Sequence, residues 1–164
     1  MHSDKEYVTL KEELEILNLY IDLESIRFKD SFRYSIECDE DIDTDEIKLP
    51  TLLIQPFVEN AIWHGLMHKE GDRMLRIKFS EQAECVHCII EDNGIGREKS
   101  REAKLATGQG KKHTSKGIQV SLERLESMGN GSGCKGSLEI IDLKDEKGNA
   151  TGTCVKIIFP TQNN

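Results

Sequence analysis

The sequence predicts an α+β fold, and three observations carry that reading. A long amphipathic helix pattern opens the chain. Short runs of alternating apolar and polar residues recur along it. The last two runs, Ser137–Leu143 and Thr153–Phe159, are consecutive and joined by Asp145-Glu146-Lys147-Gly148-Asn149, which suits an antiparallel hairpin. A length of 164 residues suits one domain with an appended element and is enough to bury a core without staples.

The helix pattern runs from about Thr9 to about Lys29. Thr9 followed by Glu12 is a capping-box signature, in which side chains satisfy backbone N–H groups at a helix start. Leu10, Leu14, Leu17, Ile21 and Phe28 fall near a 3.5-residue spacing, with Glu24 interrupting the row. Ile16, Tyr20 and Leu23 widen the stripe, which favours a helix packed in a dimer or bundle over an ordinary core helix. Phe32, Tyr34, Ile36 and Cys38 alternate as a strand. The acidic run Asp39, Glu40, Asp41, Asp43, Asp45 and Glu46 lacks the spacing and central glycine of a calcium loop, and reads as a solvated hairpin or linker.

Leu49–Leu66 reads as a helix, with Pro50 near its start and Pro56 in an early turn or at a kink. Strand-like runs follow at Met74–Ser80 and Cys85–Glu91. After Asp92-Asn93-Gly94-Ile95-Gly96 comes a polar stretch, Ala103–Lys116, then a helix pattern over Ile118–Met128 and a loop at Gly129–Gly136. Eleven of the 13 glycines lie after residue 90, which places the ligand-facing loops in the second half.

Composition excludes several classes. Thirty acidic against 22 basic residues give a net charge of −8, without the positive footprint that nucleic acid requires. No stretch approaches the ~20 apolar residues of a membrane span, and no signal peptide is visible after Met1. The five cysteines are odd in number and irregularly spaced, a poor disulfide framework that points to a reducing cytoplasm. Cys85-Val86-His87-Cys88 has CxxC spacing, but it lies in a strand pattern and no second pair completes a four-ligand metal site. No GxxxxGK[ST] phosphate loop is present. Asn130-Gly131-Ser132 and Asn149-Ala150-Thr151 match glycosylation acceptors, which a cytoplasmic chain would not use.

The informative feature is an ordered set of segments. Gln55-Pro56-Phe57-Val58-Glu59-Asn60-Ala61-Ile62-Trp63-His64-Gly65 precedes Asp92-Asn93-Gly94-Ile95-Gly96, then Ser115-Lys116-Gly117-Ile118, then Gly152-Thr153. In this order they resemble the nucleotide-binding elements of the ATPase superfamily of histidine kinases, gyrase, Hsp90 and MutL. Val8-Thr9-Leu10, Glu13-Leu14, Tyr20, Glu24, Arg27-Phe28, Leu49-Pro50 and Gln55-Pro56 sharpen the resemblance to LytS-type sensor histidine kinases. It runs from about Val8 to Pro160.

The resemblance implies a two-layer α/β sandwich of the Bergerat type, with a helix from a dimerisation bundle at its N-terminus. Residues 1–46 would hold part of that bundle and a connecting strand; residues 47–164 would be the ATP-binding catalytic domain. Asn60 would ligate Mg²⁺ bridging the ATP phosphates, since a hard cation accepts a neutral amide oxygen beside water and phosphate. Glu59 would act as a base or ligand toward an incoming histidine, or hold a helix position. Asp92 would accept from the adenine amino group. Gly94 and Gly96 would let the loop pass under the nucleotide. Gly117 would present backbone N–H groups to phosphate at a helix beginning with Ile118. His64 and Thr153 complete the nucleotide-facing set. Ala103–Lys116 would be a lid, with Lys111, Lys112, His113 and Lys116 available to phosphate.

Two departures stand out. Trp63 occupies the place where many relatives carry a lysine. Pro56 occupies the place where hydrolytic members carry a glutamate to activate water, which favours phosphoryl transfer over hydrolysis. None of His2, His64, His68, His87 and His113 sits in a phosphoacceptor context, so the acceptor histidine is expected upstream of this chain. The implied partners are the protein's own dimerisation and phosphoacceptor domain and a response regulator. The implied setting is the cytoplasmic portion of a bacterial inner-membrane sensor, homodimeric at full length. Neither nucleic acid nor membrane contact by this chain is expected. A nucleotide-gated binding module and an ATP hydrolase are the competing readings.

Overall fold

The computed structural model describes residues 7–29, 31–106, 115–128 and 133–161. Strand β1 (Tyr7–Thr9) leads into helix α1 (Leu10–Arg27). Strands β2 (Arg33–Cys38) and β3 (Lys48–Pro50) follow, then helix α2 (Gln55–Asn60), which continues as a π-helical segment, Ala61–Leu66. Strands β4 (Met74–Gln82) and β5 (Cys85–Asp92), helices α3 (Arg97–Ala106) and α4 (Ser115–Ser127), and strands β6 (Ser137–Lys144) and β7 (Ala150–Pro160) complete the order.

The main sheet runs β2-β4-β5-β7-β6. β2 and β4 are parallel; the other neighbours are antiparallel. Alternation decides which face is covered. Leu75, Ile77 and Phe79 are fully buried while Arg76 and Lys78 between them are exposed. Val86, Cys88 and Ile90 of β5 and Val155, Ile157 and Phe159 of β7 extend the same apolar face. Leu10, Leu17 and Ile21 of α1, Phe57 and Val58 of α2, Ile62 and Leu66, and Leu125 of α4 share one core with it. The result is a layer of helices over one sheet, and α1 belongs to that layer.

The capping box on α1 is present in both directions: Glu12 N–H donates to Thr9 Oγ1 at 3.1 Å, and Thr9 N–H donates to Glu12 Oε1 at 3.1 Å. The acidic run helps hold the same helix end. Leu10 N–H donates to Ile47 O at 2.8 Å and Lys11 N–H to Thr44 O at 3.0 Å, while Ile42 and Ile47 anchor that link by burial. Along α1 the buried positions are Leu10, Glu13, Leu17, Ile21 and Glu24. Ile16, Leu19, Leu23 and Ile26 form a second apolar row and are 44–69% exposed.

Three elements depart from the sequence reading. The expected helix over 49–66 starts only at Gln55, because Lys48–Pro50 pairs antiparallel with Tyr7–Thr9 and Leu52 takes a positive φ of 61°. Pro56 then sits in the first helical turn, where a missing N–H costs nothing. Helix α3 is an addition to the sequence reading; in Arg-Glu-Lys-Ser-Arg-Glu-Ala-Lys-Leu-Ala the apolar residues, Ala103, Leu105 and Ala106, are confined to its C-terminal end. Residues 103–106 belong to it. α4 begins at Ser115 rather than Ile118, so Gly117 lies within its first turn. Of the expected lid, 107–114 lie outside the described residues, as do His2 and residues 129–132.

Cys85, at the start of β5, is disulfide-bonded to Cys134, which follows α4. The odd, irregular cysteine count had argued against such a bridge. Cys88 is fully buried in the core, and burial holds its thiol well above the usual range. The CxxC pair therefore does not converge. Among the described residues no group of three or more His, Cys, Asp or Glu is placed to hold a metal ion, and no helix is long and apolar enough to cross a membrane.

Candidate nucleotide site

Three backbone segments meet at Asp92, the last residue of β5. Its neighbour on β7 is Thr153, with which it is in register. Asp92 is only 5% exposed, and its Oδ1 accepts the Gly94 N–H at 2.9 Å. The Thr153 backbone N–H faces the same carboxyl. Burial nevertheless raises its pKa to about 6, and the two N–H donors offset part of that cost.

Glycines make this approach possible. A Cβ on Gly65, near the end of the π-helical segment, would lie 2.8 Å from Asp92 Oδ1. A Cβ on Gly94 would lie 2.3 Å from the Gly65 carbonyl carbon, and one on Gly152 would lie 1.9 Å from Asp92 O. Ile95 N–H donates to Gly65 O at 3.1 Å, which ties the turn to the helical segment. Asn93 holds the other side: its Oδ1 accepts the Met74 N–H at 2.7 Å and its Nδ2 donates to Asp72 O at 3.2 Å. Gly96 has a φ of +88°, so the turn itself requires a glycine there.

The other expected residues surround this floor to different degrees. Glu59 and Asn60 are half-buried at the end of α2, on the same continuous helical segment as Gly65. Glu59 Oε1 accepts from Gln55 Nε2 at 3.2 Å. His64 is half-buried within the π-helical segment, a geometry that is rare and frequent at functional sites. Gly117 joins α4 to α2, because its Cβ position lies 3.2 Å from Pro56 Cβ. Ile118 packs its side chain against the core, which leaves only its backbone facing any ligand role. Lys116 lies in α4.

Trp63 does not stand in for a lysine. Its ring meets Phe28 edge-on with centroids 5.0 Å apart, and the Arg27 guanidinium lies 4.9 Å from its centroid. Gly65, Gly152 and Asn93 belong to the nucleotide-resembling segments, yet none is among the expected site residues. The signal available was positional: each is directly adjacent to a residue that is.

A buried carboxylate on a floor of backbone that no Cβ could share fits the donor edge of a flat heterocycle. With no carboxylate cage among the described residues, a divalent cation would need most of its ligands from phosphate and water, with an amide oxygen such as that of Asn60.

No protein-family model matches the chain. It is 38% identical over 89 residues to the protein YwpD of Bacillus subtilis, covering 54% of this chain and 31% of that protein. It is 32% identical over 99 residues to the sensor histidine kinase YesM of Bacillus subtilis, covering 58% of this chain and 16% of YesM. It is 36% identical over 93 residues to the sensor histidine kinase YpdA of Escherichia coli, covering 57% and 16%. The chain thus spans well under half the length of the curated relatives it matches. Among solved structures, the mycobacterial sensor histidine kinase MprB superposes with a TM-score of 0.60 at 11% identity, covering 97% of this chain and 99% of that one. The catalytic domain of histidine kinase ThkA gives 0.59 at 14% identity, covering 95% and 98%. At that identity the likeness concerns the fold.

Proposed function

We propose that this chain, a homologue of the sensor histidine kinases with the fold of their catalytic domains, is the ATP-binding catalytic region of such a kinase. The observation that carries this reading is the Gly65–Asp92–Gly94–Thr153 convergence on a buried carboxylate. Asp92 accepts from the adenine amino group and orients the base. Asn60 supplies an amide oxygen to Mg²⁺. When bound, the ion supplies charge neutralisation across the phosphate oxygens. Gly117, Ile118 and Lys116 present backbone and cationic donors to phosphate at the start of α4. His64 and Thr153 border the same site. Glu59 either holds Gln55 or receives the proton of an incoming histidine. Pro56, with no titratable group, offers no base for water, which favours transfer over hydrolysis.

The γ-phosphoryl group passes to a histidine on an acceptor helix outside this chain, and from there to an aspartate of a response regulator. Catalysis of this kind is mostly positioning and charge stabilisation. In the proposed division, residues 1–46 contribute to a dimerisation bundle and residues 47–164 bind nucleotide. The exposed row Ile16, Leu19, Leu23 and Ile26 supports the bundle assignment, because its 3, 4, 3 spacing is that of a two-helix seam. The parent protein is a homodimeric membrane sensor, with this region in the cytoplasm.

Incubation with Mg²⁺–ATP and a domain carrying the acceptor helix tests the reading. Acid-labile phosphate on the acceptor histidine is expected, and Asn60→Asp or Asp92→Asn abolishes nucleotide binding without unfolding the chain. Tight binding with no transfer in the full-length protein would identify a nucleotide-gated module. Steady turnover without acceptor would identify a hydrolase.

A further inference from the structure

Helix α3 leaves the site directly from the turn that follows Asp92, and its first residue, Arg97, is a cation. A positive charge in the first turn of a helix opposes the helix dipole, which favours an acid there. Arg97 is paired instead with a strand on the far side of the site. Its Nε and Nη2 donate to Asp142 Oδ1 and Oδ2 of β6, each at 2.8 Å. Such a fork fixes orientation as well as distance, which a single ion pair does not. It holds the Asp142 carboxyl below its usual range. The two side chains are 47% and 44% exposed, so the pair adds little to global stability.

The pair closes a ring around the candidate site. Asp142 is the cross-strand partner of Thr153, and Thr153 is the cross-strand partner of Asp92. From Asp92 the chain runs through Gly94 and Gly96 to Arg97, which returns to Asp142. Inside the ring Gly96 approaches the start of β7, where an added Cβ would lie 3.0 Å from Ala150 Cβ. Ser100 N–H donates to Gly96 O at 3.1 Å, which joins the turn to α3. The turn is therefore tied to the helical segment by Ile95 N–H on Gly65 O, and to the β6–β7 hairpin by Arg97 on Asp142.

We infer that Arg97 and Asp142 are positioning residues for the nucleotide site. Their fork fixes the 93–96 turn and the start of α3 against the β6–β7 hairpin, and so shapes the floor beside Asp92 before nucleotide arrives. Neither side chain touches the nucleotide; both act through the turn. The inference rests on the nucleotide-site reading above.

Mg²⁺–ATP titration tests it on wild type, Arg97→Ala, Asp142→Ala and the reversed pair Arg97→Asp with Asp142→Arg. Melting temperatures are measured in parallel. Each alanine variant is expected to bind about fivefold more weakly and to melt within about 3 °C of wild type. The reversed pair is expected to bind within about twofold of wild type, because it restores the ion pair with the charges exchanged. Weaker binding in Arg97→Ala alone, or tighter binding in Asp142→Ala, would mean that Arg97 serves phosphate directly, and overturns the inference. Unchanged affinity in both alanine variants overturns it, as does a reversed pair that recovers none of the loss. A larger fall in melting temperature with the loss of binding would make the pair a structural support and overturn it too. No binding by wild type overturns the nucleotide-site reading, and the inference with it. Hydrogen exchange without nucleotide reads the turn itself. The Gly94 and Ile95 amides are expected to exchange about fivefold faster in Arg97→Ala than in wild type, and equal rates would overturn the positioning role.

Discussion

Gly65 and Asp92 approach so closely that a Cβ on the glycine would lie 2.8 Å from the aspartate Oδ1. The end of the helical segment 55–66 and the end of β5 therefore share one small space, and both sides constrain it. Gly65→Ala pushes the Asp92 carboxyl from its Gly94 partner. Expected outcomes are destabilisation of about 1–3 kcal/mol in urea unfolding and at least a tenfold loss of Mg²⁺–ATP affinity. Gly94→Ala is expected to be worse, because its Cβ would meet Gly65 backbone at 2.3 Å rather than a side chain.

The buried carboxyl of Glu13 makes stability depend on pH in a stated direction. Its folded pKa, raised by burial to about 7, lies above the unfolded value of 4.5. The folded state therefore holds the proton more tightly, and stability falls as pH rises from about 4.5 to about 7, then levels. Asp92, raised to about 6 from 3.8, acts in the same sense at lower pH. Glu13→Gln removes the first component. At pH 8 it is expected to be more stable than wild type by up to about 3 kcal/mol, at ~1.4 kcal/mol per pKa unit, with little difference at pH 4.5. Equal pH profiles of unfolding free energy in the two proteins would contradict this.

The exposed row on α1 separates assembly from folding. Leu19 and Leu23 are 66% and 65% exposed, so Leu19→Glu with Leu23→Glu is expected to change the unfolding free energy of this chain by less than about 0.5 kcal/mol. In a longer protein that includes the acceptor helix, the same pair is expected to abolish dimerisation, read by sedimentation. An unchanged dimer would remove this face from the bundle.

The Cys85–Cys134 bridge closes a loop across 49 residues of sequence separation. On chain-entropy grounds its removal costs about 4 kcal/mol, an upper figure because the unfolded chain retains structure. Cys85→Ser is expected to melt lower than the oxidised wild type and to match the wild type after reduction by dithiothreitol. Equal melting temperatures with and without reductant would show that the bridge does not contribute.

The turn at the candidate site and the start of α1 were legible because their signals are local in sequence. Asp92-Asn93-Gly94-Ile95-Gly96 demands a turn, and Thr9 with Glu12 demands a helix start; both are satisfied by neighbours within a few residues. The errors lie where long-range pairing won. Leu49 and Pro50 read as helix, yet Leu49 is opposite Val8 in a strand pair, a contact no local pattern reports. Helix α3 was missed because its apolar residues, Ala103, Leu105 and Ala106, fall only at its C-terminal end. Trp63 was noted as a departure from the lysine pattern, but its partners Phe28 and Arg27 lie on another helix and come together only through packing.

Residue types and spacing were sufficient for the α+β class, the central strands β4 and β5 and the closing hairpin, because hydrophobic period and turn chemistry act over short stretches of chain. Folding in three dimensions settled two things those stretches do not contain. It turned α1 so that Leu10, Glu13, Leu17 and Ile21 enter the core while Ile16, Leu19, Leu23 and Ile26 remain outside. It also enclosed Trp63 between Phe28 and the Arg27 guanidinium of α1. A helix with apolar residues on two sides does not itself specify which side is buried; the surface that packs against it does.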